Sequence, residues 1–458
     1  MSRRRIAIAL LLLDSVMLVT VFNLTGFLRG IASPDAPILA PLLAPLGMLA
    51  VSLYLIDGYK RRTDMLSVDY ASHHLIAIVA AMIGTLLFTY VLFPDGYSLQ
   101  GSRAVIALSF LALAPLTLSY RRALHRGIAA VRRRRVVLFL GDRASCEAFR
   151  AECKRNRFGH RVIYSILTPE GTPPVFEFAE ADSLRPYADV IASISRGTLA
   201  VEAIVLRESA HRLSPAVSQQ LVQLYFAGVP TYTLELFHQL YWRKIPLYRL
   251  NHVWLFQEGF HMAREPVFNH FKRALDVVFA LAGLVIASPM IAAAALAIKL
   301  DDRGPVFFRQ ARIGKNNTPF SLLKLRTMRN TPHDGDRYTR PDDPRITRVG
   351  RFLRNSRIDE LPQLWNVLRG EMSVIGPRAE WDKLVADYER SIPCYHFRHL
   401  VRPGITGWAQ VNYPYGANLD DTRCKLEYDL YYIRHFSFVL DASIVLKTIH
   451  TMLHGKGR

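Results

Sequence analysis

Four apolar runs fill the N-terminal third of the chain and constrain its fold more than any other feature. Each approaches the roughly 20 residues that a helix needs to cross a bilayer. The basic start at Arg3 followed by an apolar run could mimic a signal peptide, but Asp14 interrupts the run and no small-residue cleavage site follows. We therefore predict a membrane α-helical bundle over residues 1–120, with spans at residues 6–28, 36–56, 75–92 and 105–118.

Basic residues lie on one side of this four-span arrangement. They occur at residues 3–5, 60–62, 121–122, 126 and 132–135, whereas residues 33–36 and 94–100 contain no Lys or Arg. By the positive-inside bias, both ends of the bundle face the cytoplasm, and so does the chain after residue 121.

The net charge of +20 and the pI near 10.0 suggest an anionic partner such as phosphorylated substrates, anionic lipid or nucleic acid. Nucleic acid is disfavoured, because the basic residues cluster beside apolar runs and no known nucleic-acid-binding pattern is present. The four cysteines show no C-x-x-C spacing, which argues against zinc and is compatible with a reducing compartment.

Short apolar strands alternate with helical stretches over residues 130–262, a pattern typical of a Rossmann-like α/β domain with a parallel sheet. Strands are predicted at residues 136–140, 162–167, 201–206 and 229–233, and helices at residues 144–156 and 215–226. A dinucleotide site needs a second glycine two residues after Gly141, where the chain has Arg143. A regulatory or scaffold domain is favoured over an NAD-dependent sugar-modifying domain.

A fifth apolar run covers residues 274–300, with Ser288 and Pro289 near its middle. Proline removes a helical hydrogen bond and bends the helix, and the serine hydroxyl can cover the freed carbonyl. Both flanks are basic, which favours a re-entrant membrane helix that enters and leaves one leaflet. The alternative, a fifth span, would place the C-terminal domain outside. We also expect Arg273 to pair with Asp276 near the headgroups.

The C-terminal domain, residues 268–458, is predicted to be mainly α and rich in arginine. An Asn316-Asn317 turn between residues 306–312 and 320–327 indicates a β-hairpin. Arginine then recurs at every third position from Arg345 to Arg357, as on an amphipathic helix lying at an anionic interface.

Two adjacent acids, Asp359 and Glu360, follow these arginines, and Pro362 predicts that a helix begins close to Asp359. An N-terminal cap would account for one carboxylate only. Consecutive helical residues diverge, so the two acids are not expected to share a proton. One is suited to act as a nucleophile towards phosphorus, and the other as a Mg²⁺ ligand or proton handler.

Ordered motifs over residues 272–458 resemble the bacterial sugar transferases, the membrane-bound polyprenyl-phosphate hexose-1-phosphate transferases of exopolysaccharide and O-antigen assembly. The matching stretches are KRALD, the membrane Ser288-Pro289, GPVFFRQARIG, LLKLRTM, RVGRFLRNSRIDELPQLWNVLRGEMSVIGPRAE, RPGITGWAQVN and YDLYYIRHFSFVLD. The N-terminal bundle and the middle domain also look like the long form of this family.

The resemblance implies that sugar 1-phosphate passes from a UDP-sugar to undecaprenyl phosphate, with release of UMP. Asp359 is then the nucleophile, Glu360 its partner, and both are candidate ligands of Mg²⁺. Further substrate-binding candidates are Arg354, Arg378, Glu380, Arg402, Asp429 and Asp441. The membrane and lipid-phosphate candidates are Lys272, Arg273, Asp276, Ser288 and Pro289.

One residue departs from the family pattern, which has a proline where this chain has Ala379. The expected location is the bacterial inner membrane, with membrane lipids as partners and surfaces compatible with a homodimer. The competing hypothesis is a non-catalytic membrane nucleotide sensor or assembly scaffold.

Overall fold

The fold is mostly helical, with several apolar helices and a small parallel sheet. The computed structural model describes residues 3–33, 35, 37–59, 63, 65–92, 103–132, 136–156, 158–166, 187–207, 215–247, 266–329, 343–413 and 418–453. Within this part, the chain forms two compact units, Met1–Phe237 and His238–Arg458.

The first unit begins with the apolar helices α1 (Arg3–Leu28), α2 (Leu43–Leu55), α3 (Val68–Leu87) and α4 (Arg103–Arg132). Their buried core includes Leu18, Phe22, Leu49 and Phe110. Among the described residues of this unit, three stretches are long and apolar enough to cross a membrane: Ile6–Leu28, Val68–Tyr90 and Arg103–Arg126. The predicted second span corresponds to the shorter apolar stretch Ala40–Leu55.

Helices α3 and α4 extend beyond the spans predicted within them. Helix α3 begins seven residues before residue 75, because the side chain of Ser67 caps it by accepting a hydrogen bond from the Tyr70 amide. Helix α4 extends past residue 118 into the basic segment. Residues 60–62, 94–100 and 133–135, on which the orientation argument partly rests, lie outside the described residues.

Asp14, the charge that interrupts the first apolar run, is fully buried in the bundle. Its oxygens accept hydrogen bonds from the two terminal nitrogens of Arg121 at 2.6 and 2.7 Å. The Tyr59 hydroxyl donates a further bond at 2.7 Å. Because a charge in an apolar environment needs a partner, this ion pair explains how the first helix tolerates an acid.

A four-stranded parallel sheet follows, with strand order β2-β1-β3-β4. Its strands are β1 (Val136–Gly141), β2 (Arg161–Ile166), β3 (Val201–Leu206) and β4 (Thr231–Thr233). The helices of this region are α5 (Arg143–Arg155), α6 (Tyr187–Ser195), α7 (Pro215–Phe226) and α8 (Leu234–Phe237). Every residue of β1 is buried, as expected for a central parallel strand.

The turn after β1 has its own carboxylate at the start of α5. The Asp142 side chain accepts a hydrogen bond from the Ser145 amide and pairs with Arg207, which directly follows β3. In dinucleotide-binding α/β folds the pyrophosphate binds at the N-terminus of the helix that follows the first strand. In this chain an acid, Asp142, caps the corresponding helix α5.

The second unit contains helix α9 (Pro266–Asp302) and the antiparallel hairpin of β5 (Phe307–Ile313) and β6 (Pro319–Leu325). The hairpin turn has positive φ at Asn316 and Asn317, which confirms the predicted turn. The remaining elements are α10 (Arg348–Ser356), α11 (Gln363–Arg369), β7 (Ser373–Ile375), α12 (Asp382–Ser391), β8 (Gly404–Thr406), α13 (Trp408–Asn412), α14 (Leu419–Arg434) and α15 (Phe438–Leu453).

Helix α9 is continuous in secondary structure through Pro289, and Phe268–Asp302 is long and apolar enough to cross a membrane. The hydroxyl of Ser288 donates to the Val285 carbonyl at 2.8 Å. That carbonyl is the one that loses its partner at Pro289, so the predicted compensation by Ser288 is confirmed.

Candidate functional site

The acidic pair, Asp359 and Glu360, lies on a short turn rather than on a long helix. Helix α10 ends at Ser356, its C-cap Arg357 has a left-handed φ of 59°, and a 3₁₀ turn follows over Ile358–Glu360. Helix α11 begins only at Gln363, with Pro362 as its N-cap, so the predicted helix start near Asp359 was wrong. Both acids are 9% exposed, and the 3₁₀ turn directs consecutive side chains apart.

Glu360 is surrounded by cations. Its Oε1 accepts hydrogen bonds from Lys324 Nζ at 2.8 Å and from an Arg378 terminal nitrogen at 3.2 Å, and its Oε2 lies 3.5 Å from Arg357. Burial alone would raise the pKa of Glu360, but Lys324, Arg378 and Arg357 together hold it well below its usual range. Glu360 is therefore a carboxylate that three cations hold in place and whose charged form they favour.

Asp359 has the opposite environment. No residue that the structure describes donates a hydrogen bond to its carboxylate. Burial and the charge of Glu360 raise the pKa of Asp359, although the nearby Lys324, Arg354 and Arg357 lower it in part. A desolvated carboxylate without hydrogen-bond donors retains its lone pairs for attack on an electrophile or for a cation.

Arg354 approaches the acidic pair from α10. Its guanidinium donates to the Thr327 hydroxyl at 2.9 Å and contacts the Met328 sulfur. Arg348 and Arg351 on the same helix are exposed, because a three-residue spacing drifts around the helix axis. The arginine series predicted from Arg345 to Arg357 thus exceeds the helix at both ends.

Arg378 reaches Glu360 from the loop after β7. This strand pairs in parallel with β8, and the backbones of Arg378 and Gly404 form an isolated parallel β-bridge. The backbones approach so closely that a Cβ on Gly404 would lie 2.0 Å from the Gly376 nitrogen. Glycine at these two positions is therefore needed to bring the Arg378 loop against the acidic pair.

Arg398, which the sequence interpretation missed, joins three residues predicted as substrate ligands. One terminal nitrogen donates to the Arg378 carbonyl and to Asp429, both at 2.9 Å. The other donates to the Tyr395 hydroxyl at 2.7 Å and lies 3.4 Å from Glu380. The structure thus places Glu380 and Asp429 around a buried guanidinium that also holds the backbone of the Arg378 loop.

A second group of predicted residues anchors the N-terminal half of α9. Lys272 pairs with Asp441, which also accepts a hydrogen bond from the Tyr432 hydroxyl at 2.8 Å. Asp276 accepts from the Ser373 hydroxyl and the Val374 amide, both at 3.0 Å.

The terminal carbonyls of α11 bind two further predicted residues. Arg273 donates to the carbonyls of Val367 and Leu368, and Arg402 donates to that of Gly370 at 3.0 Å. The predicted pairing of Arg273 with Asp276 was therefore wrong. These residues contact α9, β7 and the end of α11, and in the described contacts none of them binds the acidic pair.

The acidic pair suits Mg²⁺ at one carboxylate only. The described residues contain no cluster of three or more His, Cys, Asp or Glu side chains that could hold a metal ion. Mg²⁺ commonly binds one or two carboxylates together with substrate phosphates. Asp359 fits this role, whereas Glu360 does not, because its oxygens contact three cations.

Comparison with known proteins identifies the family to which the region of the acidic pair is similar. Residues 267–455 match the family described as "Bacterial sugar transferase". The UDP-N-acetylgalactosamine-undecaprenyl-phosphate N-acetylgalactosaminephosphotransferase of Aeromonas hydrophila is 49% identical over 193 residues, which are 42% of this chain and 46% of that protein. The UDP-glucose:undecaprenyl-phosphate glucose-1-phosphate transferase of Escherichia coli (strain K12) is 43% identical over 181 residues, which are 39% of each protein.

The match thus spans less than half the length of these two relatives. The exopolysaccharide production protein PSS of Rhizobium leguminosarum bv. phaseoli is 44% identical over 194 residues, which are 41% of this chain and 97% of that protein. Nearly the whole of one relative therefore corresponds to the region that holds the acidic pair, and the chain belongs to the bacterial sugar transferase family.

Proposed function

We propose that the chain is a phosphoglycosyl transferase that moves a hexose 1-phosphate from a UDP-sugar to undecaprenyl phosphate. The observation that carries this proposal is the contrast within the acidic pair: Glu360 is neutralised by Lys324 and Arg378, while Asp359 stands beside it without a hydrogen-bond donor among the described residues. The names of the Aeromonas and E. coli relatives specify substrates of this class.

The charge around the pair favours phosphate. Five basic side chains act on the two acids or on each other: Arg312, Lys324, Arg354, Arg357 and Arg378. Burial and the neighbouring Arg378 lower the pKa of Arg312 to about 10, although Glu380, Glu360 and Asp382 raise it in part. A diphosphate would relieve this repulsion, and the cations would stabilise charge on its phosphoryl oxygens.

The proposed reaction is a double displacement at one phosphorus. An oxygen of Asp359 attacks the phosphorus that bears the sugar, the bond from that phosphorus to the bridging oxygen breaks, and UMP leaves with the bond's electron pair. An oxygen of undecaprenyl phosphate then attacks the same phosphorus and returns Asp359 to its carboxylate form. Asp359 would be the protein ligand of Mg²⁺, and the ion would supply further neutralisation of the phosphoryl charge.

We further propose that α9 is re-entrant and that the active site lies at the cytoplasmic face of the bacterial inner membrane. The N-terminal half of α9 is tied to its unit by Lys272–Asp441, and its C-terminal end by Asp302–Arg326. Between these anchors, large apolar side chains such as Ile286 (76% exposed) and Leu300 (76% exposed) face outwards. Two ends held by one compact unit support entry and exit on one side of the bilayer.

The test is turnover combined with capture of the intermediate. The purified protein, in nanodiscs with undecaprenyl phosphate and Mg²⁺, is expected to release UMP from at least one UDP-sugar. Without the lipid acceptor, the peptide that contains Asp359 should gain the mass of a sugar phosphate. Asp359→Asn should lose both signals, and Asp420→Asn, at an exposed carboxylate, should retain both.

Normal turnover by Asp359→Asn would refute the nucleophile. Absence of UMP release from every UDP-sugar by the wild-type protein would favour a membrane scaffold instead.

A further inference from the structure

Two buried side-chain amides on helix α11, those of Gln363 and Asn366, differ in their hydrogen bonding. Asn366 is 1% exposed, and its side chain forms three hydrogen bonds. Its oxygen accepts a bond from the Leu323 amide at 3.0 Å, and its nitrogen donates to the Ser321 carbonyl at 2.7 Å and to Glu371 at 2.6 Å. Gln363, one turn earlier, is 3% exposed, and its Nε2 finds no acceptor among the described residues. Asn366 therefore holds the hairpin to α11, whereas the amide of Gln363 contributes no comparable bond.

Gln363 is also one of the residues that line a small cavity beside the acidic pair. Lys324 and Arg378, the two cations that bind Glu360 Oε1, also line it. Arg312 is a further lining residue, and its Nε also has no acceptor in the described part of the chain. Leu322, Met372, Ala379 and Gly404 complete the wall.

The size and polarity of this cavity define its occupant. Its volume of about 10 Å³ admits a single oxygen atom and excludes a sugar or a base. All four polar lining side chains carry N–H donors, and three of them are cationic. A buried donor without a partner is costly, so a site that keeps two of them is matched to an acceptor that arrives with a ligand.

We propose that Gln363 Nε2 and Arg312 Nε form a subsite that binds one phosphoryl oxygen of a phosphorylated substrate. The inference rests on the proposed function for the identity of that substrate. It goes beyond that function in assigning Gln363, together with Arg312, to substrate binding. The oxygen belongs either to the diphosphate of the UDP-sugar or to the phosphate of the polyprenyl acceptor, and the two are separable by experiment.

The first test compares Gln363→Met with Asn366→Leu in the full-length protein. Methionine is similar in length to glutamine but lacks the amide, so Gln363→Met is expected to leave the melting temperature without substrate unchanged or raised. Asn366→Leu removes three hydrogen bonds and should lower that temperature. The reverse order of stabilities would show that Gln363 is a structural amide and would overturn the proposal.

The second test measures substrate dependence by UMP release. Gln363→Met should raise KM about tenfold for one phosphorylated substrate, as expected for loss of a hydrogen bond to a charged group. A rise for the UDP-sugar assigns the oxygen to its diphosphate, and a rise for undecaprenyl phosphate assigns it to the acceptor. Unchanged KM for both substrates would mean that the cavity holds only water, and would overturn the subsite.

A third measurement separates this inference from the proposed function. UDP and pyrophosphate should each raise the melting temperature of the wild-type protein, and Gln363→Met should reduce the rise for at least one of them. This result supports the subsite even if no UDP-sugar is turned over. A wild-type protein that neither compound stabilises would exclude a diphosphate as the source of the oxygen, and would overturn the subsite if Gln363→Met also leaves the KM for undecaprenyl phosphate unchanged.

Discussion

Asp359 and Glu360 are neighbours in sequence whose charges are compensated to very different degrees. Lys324 and Arg378 bind Glu360, while the Asp359 carboxylate has no donor among the described residues. The charge of Glu360 also contributes to raising the pKa of Asp359. Glu360 therefore acts on the proposed nucleophile in two ways, by occupying cations that would otherwise stabilise its carboxylate and by repelling its negative charge.

This arrangement predicts a shift in the pH profile of Glu360→Gln. The nucleophile must be ionised, so kcat/KM falls as pH decreases through the pKa of Asp359. The substitution removes the charge of Glu360, which raises the pKa of Asp359. It also releases Lys324 and Arg378 from Glu360, so that they are available to lower that pKa. The acidic limb of kcat/KM should therefore move to lower pH, while the maximal rate falls because the released cations bind the nucleophile.

The control for this profile is Asp420→Asn, which changes an exposed acid on α14. It should leave the acidic limb where the wild-type protein has it. An acidic limb of Glu360→Gln that stays in place or moves to higher pH would contradict the assignment of Asp359 as the titrating nucleophile.

Arg398 offers a test of indirect positioning. It donates to the carbonyl of Arg378, whose side chain binds Glu360. Arg398→Lys keeps a positive charge but loses the planar fork. We expect roughly a tenfold loss of kcat/KM in the wild-type background and little further loss in an Arg378→Ala background, because residues that act through one contact are not additive.

The melting temperature of each variant serves as the control for Arg398. A purely structural role predicts that Arg398→Lys reduces activity by the same factor in both backgrounds, together with a lower melting temperature in each. Additive losses of that kind would show that Arg398 does not act through Arg378.

The sequence could predict the acidic pair and the divergence of its two side chains, but not which carboxylate is bound by cations. The decisive partners of Glu360 are 36 and 18 residues away, and only the hairpin and the β7–β8 pairing bring them together. Arg398 was missed because its neighbours Tyr395 to Leu400 carry no motif of their own. An arginine in a stretch with buried aromatic residues was the available signal.

At the scale of elements, helix α9 combines an apolar surface with anchors at both ends. Ala280 belongs to a cluster with Leu322 and Val367, while Ala294 and Ile298 belong to another with Leu325. Both halves of α9 therefore pack against β6 and its neighbours. Pro289 lies between these halves, and a proline inside a helix is an ordinary cause of a bend.

We predict that Pro289→Ala changes the membrane topology of α9. The new amide can bond to the Val285 carbonyl, which favours a straight helix of roughly 55 Å that spans the bilayer. In a background without the four native cysteines, His270→Cys and Asp301→Cys should be labelled from the same side in the wild-type helix and from opposite sides after Pro289→Ala. UMP release should fall.

Ser288→Ala is the matched control for α9, because it removes the hydroxyl bond but leaves the proline in place. Labelling should remain on one side in this variant. Opposite-side labelling before the Pro289 change would refute the re-entrant arrangement.

Apolar runs and strand alternation were enough to predict most elements, and β3 and α7 have the predicted bounds. The observed bounds differ from the predicted ones where a single residue determines the start or the end of a helix. Ser67 starts α3 early through its cap, and the left-handed Arg357 ends α10 before the acidic pair. Such ends depend on single side-chain and backbone conformations, which hydrophobic periodicity does not record.

At the scale of the whole molecule, the second unit includes a segment upstream of the family match. The match begins at residue 267, but the compact unit begins at His238. Ile245 is fully buried in its main core, Lys244 pairs with Glu427 at 2.9 Å, and the Trp408 indole donates to the Arg243 carbonyl at 2.9 Å. The preceding chain thus contributes to the fold of the unit that carries the acidic pair.

This packing predicts that the upstream segment stabilises the second unit. Ile245→Ala in the full-length protein removes a buried side chain and should cost roughly 2–4 kcal/mol, which lowers the melting temperature of this unit by several degrees. Leu240→Ala, in the same segment but at a 54% exposed position, should have little effect. The melting temperatures are measured with a probe within the second unit. Equal values for the two variants would show that residues 243–247 do not stabilise this unit. A selective loss in Ile245→Ala would show that the stability of the unit with the acidic pair depends on chain outside the matched region.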